Sequence, residues 1–146
     1  MITFTLIGGG SVQDLPAADL KPGGAKQPSA SQVLWVDLDS PTEKDYQEAT
    51  AVLGLSPPVL DSLRQRRHRF PHCTVVEGQI VLDTIAYKPK GLVTQNDFTS
   101  VTFLLGETAL ATVHHGQVAS LTAAKRDLAG LEIGRASCRE RVCQYV

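Results

Sequence analysis

Residues 33–55 read VLWVDLDSPTEKDYQEATAVLGL and carry the clearest structural signal in the chain. The first six form a short apolar run rich in valine and leucine, the pattern of a buried strand. A helix is expected next. Ser40 is placed to cap it, Pro41 suits its first position, and Glu43 at the third completes a capping box. Tyr46, Ala49, Thr50 and Leu53 fall at i, i+3, i+4 and i+7, one face of an α-helix. Gly54 supplies a left-handed stop. Asp37 and Asp39 are assigned to the turn that joins strand to helix.

The pattern extends in both directions from this unit. Residues 56–65, SPPVLDSLRQ, repeat the device: Ser56 as cap, Pro57 as first residue, and Val59, Leu60 and Leu63 on the buried side. Upstream, residues 2–7 (ITFTLI) alternate like a strand, and Gly8, Gly9 and Gly10 end it in a turn. No G-x-G-x-x-G and no G-K-[ST] accompanies those glycines, so a phosphate loop is not indicated. Residues 11–32 are rich in Pro, Gly, Ala and Ser and read as a loop with at most a helical turn at PAADL.

Downstream, residues 73–87 predict two strands turning at Glu77–Gly78, and residues 88–97 a polar connection. Residues 98–115 predict two more strands around Gly106–Glu107. Residues 117–131 predict a helix with Val118, Leu121, Lys125 and Leu128 on one side. The resulting order, strands interrupted by helices and closed by a helix, indicates an α/β domain with a mixed β-sheet flanked by helices.

Composition sets the outer limits. The chain has 146 residues, 42% of them hydrophobic, and a formal net charge of −1. That suits one domain able to bury a core without disulfide staples. A near-neutral charge does not provide the broad basic footprint of a nucleic-acid binder. No apolar run reaches the length needed to cross a bilayer, and the N-terminal segment lacks a basic start and a small-residue cleavage site. The chain itself is expected to be soluble.

Few side chains suggest chemistry. His68 and His72 have helical i, i+4 spacing beside Cys73, but Pro71 interrupts the helix that spacing requires. His114 and His115 are neighbours in an expected strand and point to opposite faces. Asp37, Asp39, Asp61, Asp83 and Asp97 form no calcium-loop pattern and no fixed pair. The basic run from Arg64 to Arg69 lacks interleaved aromatics, so a solvated helix end is the simpler reading than a phosphate-binding patch. No nucleophile–base set is visible, and the expectation is a non-enzymatic domain with no nucleic-acid partner.

The elements together resemble the N-terminal cytoplasmic domain of CorA-type divalent-cation channels. In that family a W-[IV]-D-L strand leads into a P-T helix start, then G-[LI]-x-P-x-x-[LI], and later a strand pair ending in T-V-H. Trp35, Asp37, Leu38, Pro41, Thr42, Gly54, Leu55, Pro57 and Leu60 match the first part; Leu104, Leu105, Gly106, Thr112, Val113 and His114 match the second. The resemblance covers about residues 1–130. It implies an α/β/α sandwich facing the cytoplasm, attached in a full-length homopentamer to a stalk and to membrane helices. Such channels pass Mg²⁺, Co²⁺ and Ni²⁺, and some relatives move Zn²⁺.

The family's Gly-Met-Asn pore motif is absent, since Met1 is the only methionine. The family also carries an acidic pair that helps bind regulatory Mg²⁺ between subunits. Asp61 and Ser62 occupy those positions, so the resemblance implies Asp61 as the single remaining Mg²⁺ ligand. One carboxylate plus water is a weaker magnesium site than two. The alternatives are that Asp61 is an exposed helix carboxylate, and that the chain is a stand-alone ligand- or partner-binding module.

The last fifteen residues break the pattern. Residues 132–142 back-translate, without a mismatch, to a string that resembles a sequencing-adapter oligonucleotide, and residues 132–146 are expected to be a non-native tail. Residues 1–131 form the expected domain. Without the tail the charge is −1 − 1 = −2, because it holds three Arg and two Glu, and Cys73 is the only remaining cysteine.

Overall fold

The computed structural model describes residues 1–20, 28–29, 31–65, 71–87 and 98–128. The His68 half of the His68/His72 pair, Arg66, Arg67, Arg69 and Asp97, and the tail lie outside the described residues. The described residues hold seven strands: β1 (Ile2–Gly8), β2 (Ser11–Leu15), β3 (Gln32–Asp39), β4 (His72–Val76), β5 (Gln79–Tyr87), β6 (Phe98–Leu105) and β7 (Ala109–His114). Three α-helices accompany them: α1 (Glu43–Leu53), α2 (Pro57–Arg64) and α3 (Ala119–Leu128).

The strands form one mixed sheet in the order β2-β1-β3-β7-β6-β5-β4. Every neighbouring pair is antiparallel except β3 and β7, which run parallel. After β3 the chain passes through α1 and α2 to the far edge of the sheet. It then meanders back through β4, β5 and β6 to lay β7 beside β3. Parallel neighbours need a long crossover of this kind, whereas the other adjacent strands are reached by antiparallel turns.

Side-chain alternation separates the two faces. Phe4, Val36, Ala111, Leu104 and Val81 occupy one row across five strands and are all buried. Ala49 from α1, and Val59 and Leu63 from α2, pack into that core with Leu55 between the helices. Tyr46, Val52 and Leu53 add partly buried surface. The opposite face carries Trp35, Asp37, Thr112 and His114, and it is covered by Val118, which precedes α3, and by Leu121 of α3. Helices on both faces of a mixed sheet are the α/β arrangement expected from the pattern.

Local differences from the sequence reading have physical causes. The loop expected after Gly10 contains β2, which pairs with β1 through a tight hairpin at the three glycines; the short helical turn at Ala17–Asp19 follows. Short, polar β2 sits at a sheet edge with only one buried residue, so its hydrophobic signal is weak.

The cap of α1 is Thr42, not Ser40. Thr42 accepts from the Asp45 amide at 3.3 Å, and the Asp45 carboxylate accepts from the Thr42 amide at 2.8 Å. Ser40 is instead drawn to the end of β7, where its amide donates to the His114 carbonyl at 2.7 Å. That bond holds it in a left-handed conformation (φ 47°), outside the helix. Gly54 adopts the expected left-handed conformation at the helix end. Ser56 precedes α2 as expected but makes no capping bond. Pro57 and Pro58 remove two of the amides near it, and its Oγ is buried without a partner.

Candidate functional site

The parallel pairing of β3 and β7 has a chemical consequence. Its register sets Asp37 beside Thr112 and Asp39 beside His114. Residues i and i+2 of a strand share a face, so Trp35, Asp37 and Asp39 line up against Thr112 and His114. Asp37 and Asp39 therefore belong to the strand and form one side of a polar cluster. The assignment of both to the turn was incorrect, because the strand continues through Asp39.

The cluster is a directional chain of hydrogen bonds. The Trp35 indole N–H donates to Thr112 Oγ1 at 2.9 Å. The Thr112 hydroxyl donates to Asp37 Oδ1. His114 Nε2 lies 3.1 Å from the same carboxylate oxygen, and His114 Nδ1 lies 2.8 Å from the Gly116 carbonyl. The Gly116 amide then returns to β3, donating to Asp39 Oδ1 at 2.8 Å. Thr112 is fully buried and Trp35 and His114 nearly so, which gives these bonds little competition from water. His115 is exposed, as the alternation required.

Beside the chain is a cleft of about 250 Å³ between the sheet and α3. Asp37, Asp39 and His114 form its polar wall, Trp35, Val118 and Leu121 its apolar wall, with Lys125 at one side. Lys125 bonds Asp14 on β2 at 3.0 Å and ties the far end of α3 to the edge of the sheet. The N-terminal ammonium of Met1 donates to the Asp39 carbonyl at 2.7 Å and lies 3.4 Å from Asp45 Oδ2.

These neighbours shift the local carboxylates. Partial burial pushes the Asp39 carboxyl up, but the Ser40 hydroxyl, the Gly116 amide, His114 and the N-terminal ammonium together hold it below its ordinary value. Asp45 is lowered first by the Thr42 amide, then by the Thr42 hydroxyl, with the N-terminal ammonium adding to both. Asp14 is lowered by the Thr5 hydroxyl and then by Lys125.

The arrangement orients and holds protons, with the Thr112 hydroxyl buried and committed to Asp37. Among the described residues no group of three or more His, Cys, Asp or Glu side chains is placed to hold a metal ion. No helix among them is long and apolar enough to cross a membrane.

Asp61 lies elsewhere, on the exposed side of α2. Its Oδ1 is 3.9 Å from Arg64 Nη1. Arg64 also pairs with Glu43 of α1, and its guanidinium carbon sits 5.6 Å from the centre of the Tyr46 ring. Arg64 thus braces the two helices and places a cation beside Asp61. The Ser62 hydroxyl turns back to the Pro58 carbonyl at 3.0 Å. His72 opens β4, so it is not part of a helix, and Cys73 beside it is exposed. The buried Asp83 accepts from Thr102 at 2.6 Å, on the core face beneath the helices.

The cluster was missed because its halves are 77 residues apart in the chain. The alternation W-x-D-x-D and T-x-H was present in the sequence, but only the β3–β7 register brings the two together.

No protein-family model matches the chain, and no curated protein matches it in sequence. Solved structures do match in fold. The full-length CmaX protein superposes with a TM-score of 0.71 at 12% identity, over 89% of this chain and 39% of that one. The CorA magnesium transporter from Methanocaldococcus jannaschii gives 0.60 at 12% identity, over 88% and 37%. The ZntB cytoplasmic domain from Vibrio parahaemolyticus RIMD 2210633 gives 0.64 at 12% identity, over 88% and 50%. The chain spans about two fifths of the two full-length proteins and half of the ZntB domain. Its fold is that of the soluble domain of CorA-type proteins.

Proposed function

We propose that the chain is the cytoplasmic regulatory domain of a CorA-type divalent-cation transporter, in which further segments supply stalk, membrane helices and pore. The observation that carries this reading is the fold itself, shared over 88% or more of the chain with a magnesium transporter, with CmaX and with a ZntB cytoplasmic domain. The order of the Trp35–Asp37 and Thr112–His114 motifs supports it independently. In this reading the cargo is Mg²⁺, with Co²⁺ and Ni²⁺ as other substrates and Zn²⁺ as the alternative, and the full-length assembly is a homopentamer.

Regulation is assigned to Mg²⁺ bound between subunits, with Asp61 as the contribution of this domain. Asp61 is exposed and reachable by a neighbouring subunit, as such a role requires. It has one carboxylate, a hydroxyl turned away at Ser62 and a cation at Arg64, so the site is weaker than one built on an acidic pair. Mg²⁺ acts by favouring one arrangement of the subunits, and its loss releases the others.

Limited proteolysis of the full-length protein with and without Mg²⁺ tests this. The expected result is protection by Mg²⁺ that Asp61→Ala abolishes. Protection unchanged in Asp61→Ala removes the residue from the mechanism, and a full-length gene without membrane segments removes the transporter reading. The cleft beneath α3 favours a second reading, a stand-alone module that binds a small ligand there, and such a gene would support it.

A further inference from the structure

The His114 ring faces oxygen on both sides. Nδ1 is directed at the Gly116 carbonyl, which only accepts, and Nε2 at the Asp37 carboxylate, whose Oδ1 already accepts the Thr112 hydroxyl. A neutral imidazole has one N–H and one lone pair, so it can donate to only one of these partners. The imidazolium donates to both and places its charge between Asp37 and Asp39, the latter 3.8 Å from Nδ1. Among the described residues, the other charged groups around the same cleft are the Met1 ammonium and Lys125 of α3. Lys125 is engaged by Asp14, and the Met1 ammonium lies by the Asp39 carbonyl and Asp45. On β6 the residue opposite His114 is the apolar Val101.

The consequence falls on α3. The only backbone route from β7 into that helix passes through Gly116, whose φ of 79° suits a glycine hinge. Gly116 is held at its carbonyl by His114 and at its amide by Asp39 and, at 3.3 Å, by the Ser40 hydroxyl. Beyond the hinge α3 is lightly docked. None of its own residues is buried, the cleft lies beneath it, and the preceding Val118 is its buried anchor.

We propose that Trp35, Thr112, Asp37 and His114 form a proton-held latch at the root of α3. With the proton on His114 the ring bridges β3 and the Gly116 hinge, and α3 stays seated on the sheet. When the proton leaves, one of the two ring contacts becomes lone pair against oxygen. The hinge is released on that side, and α3 swings more freely over the cleft. The device closes as pH falls and loosens as pH rises. It regulates access to the cleft and the position of whatever is joined to α3.

The test is made on the wild-type chain by NMR from pH 5.5 to 8.5. Ring ¹⁵N signals of His114 report its protonation, and amide exchange of Gly116 and α3, corrected for the intrinsic pH dependence, reports opening. The expected result is that opening increases about fivefold, the factor one lost hydrogen bond carries, with the same midpoint as loss of the ring proton. His114→Gln, which donates toward Asp37 without titrating, is expected to remove that pH dependence while His72 and His115 remain. Opening that stays flat while the His114 ring titrates overturns the proposal. So does an equal pH dependence in wild type and His114→Gln.

Discussion

Thr112→Val gives the sharpest test of the buried chain, because the change preserves shape and removes one hydroxyl. Two partners are affected unequally. Asp37 keeps His114 and is partly exposed, with 27% of its side chain accessible, so water can replace the lost donor. Trp35 is 3% exposed, and its indole N–H has Thr112 Oγ1 as its acceptor, so the variant leaves a buried donor unpaired. An unsatisfied buried group of this kind costs about 1–3 kcal/mol. Taking about 2 kcal/mol, and about 2–4 °C per kcal/mol for a chain of this size, the melting temperature falls by about 4–8 °C. Trp35→Phe removes the donor instead. Combining the two substitutions makes Thr112→Val much cheaper, with a coupling energy of about 1–2 kcal/mol. The assay is thermal unfolding of wild type, both single variants and the double, followed by near-UV circular dichroism and calorimetry. A cost for Thr112→Val below about 0.5 kcal/mol, or strict additivity with Trp35→Phe, refutes the claim that this bond holds the site together.

Other consequences are equally direct. Thr42→Ala removes the side-chain half of the capping box, leaves the backbone amide of residue 42 on the Asp45 carboxylate, and is expected to cost about 1 kcal/mol in chemical denaturation. Gly8→Ala places a Cβ 2.5 Å from the Ser31 carbonyl oxygen, a backbone atom that cannot rotate away, and is expected to lower stability by more than about 1 kcal/mol. Asp39, Asp45 and Asp14 have depressed folded-state values, so the stability they contribute is present above about pH 3.9 and lost as pH falls further, where the unfolded chain binds more protons. Acid unfolding should therefore steepen below that point, and Asp45→Asn should flatten it.

Much of the fold could be read from local patterns, and the failures have a common cause. Strands β1, β3, β4, β5, β6 and β7 and all three helices carry apolar periodicity, turn signals or cap residues strong enough to be found alone. Strand β2 was missed because an edge strand with one buried residue has almost no pattern to find. The cap of α1 was placed two residues early because Ser40 and Thr42 are both good caps by type. The choice is made by a bond from Ser40 to His114, 74 residues away, which no local rule contains. Asp61, named only through the resemblance, lies exposed on α2 beside Arg64. The cluster at Asp37, Asp39 and His114 was dismissed as turn residues and separate histidines. Each dismissal was reasonable for a segment read alone, since only pairing between strands distant in sequence gives these side chains neighbours.

That dependence on pairing also determines when the site can exist. In the observed register Asp37 meets Thr112 and Asp39 meets His114 because β7 runs parallel to β3. Reversing β7 would carry His114 to the opposite end of β3, away from both carboxylates. Parallel docking in turn requires the whole excursion through α1, α2, β4, β5 and β6 to be complete, and contacts of such long sequence separation are costly to close. The Trp35 indole and the Asp37 carboxylate therefore gain Thr112 and His114 only when the last strand arrives. Hinge and α3 follow immediately after that strand, so the residue that completes the sheet also seats the helix. Position in the chain thus explains why a proton on one histidine can govern α3 without disturbing the α1–α2 core: the latch lies on the other face, where the last strand meets the helix that leaves it.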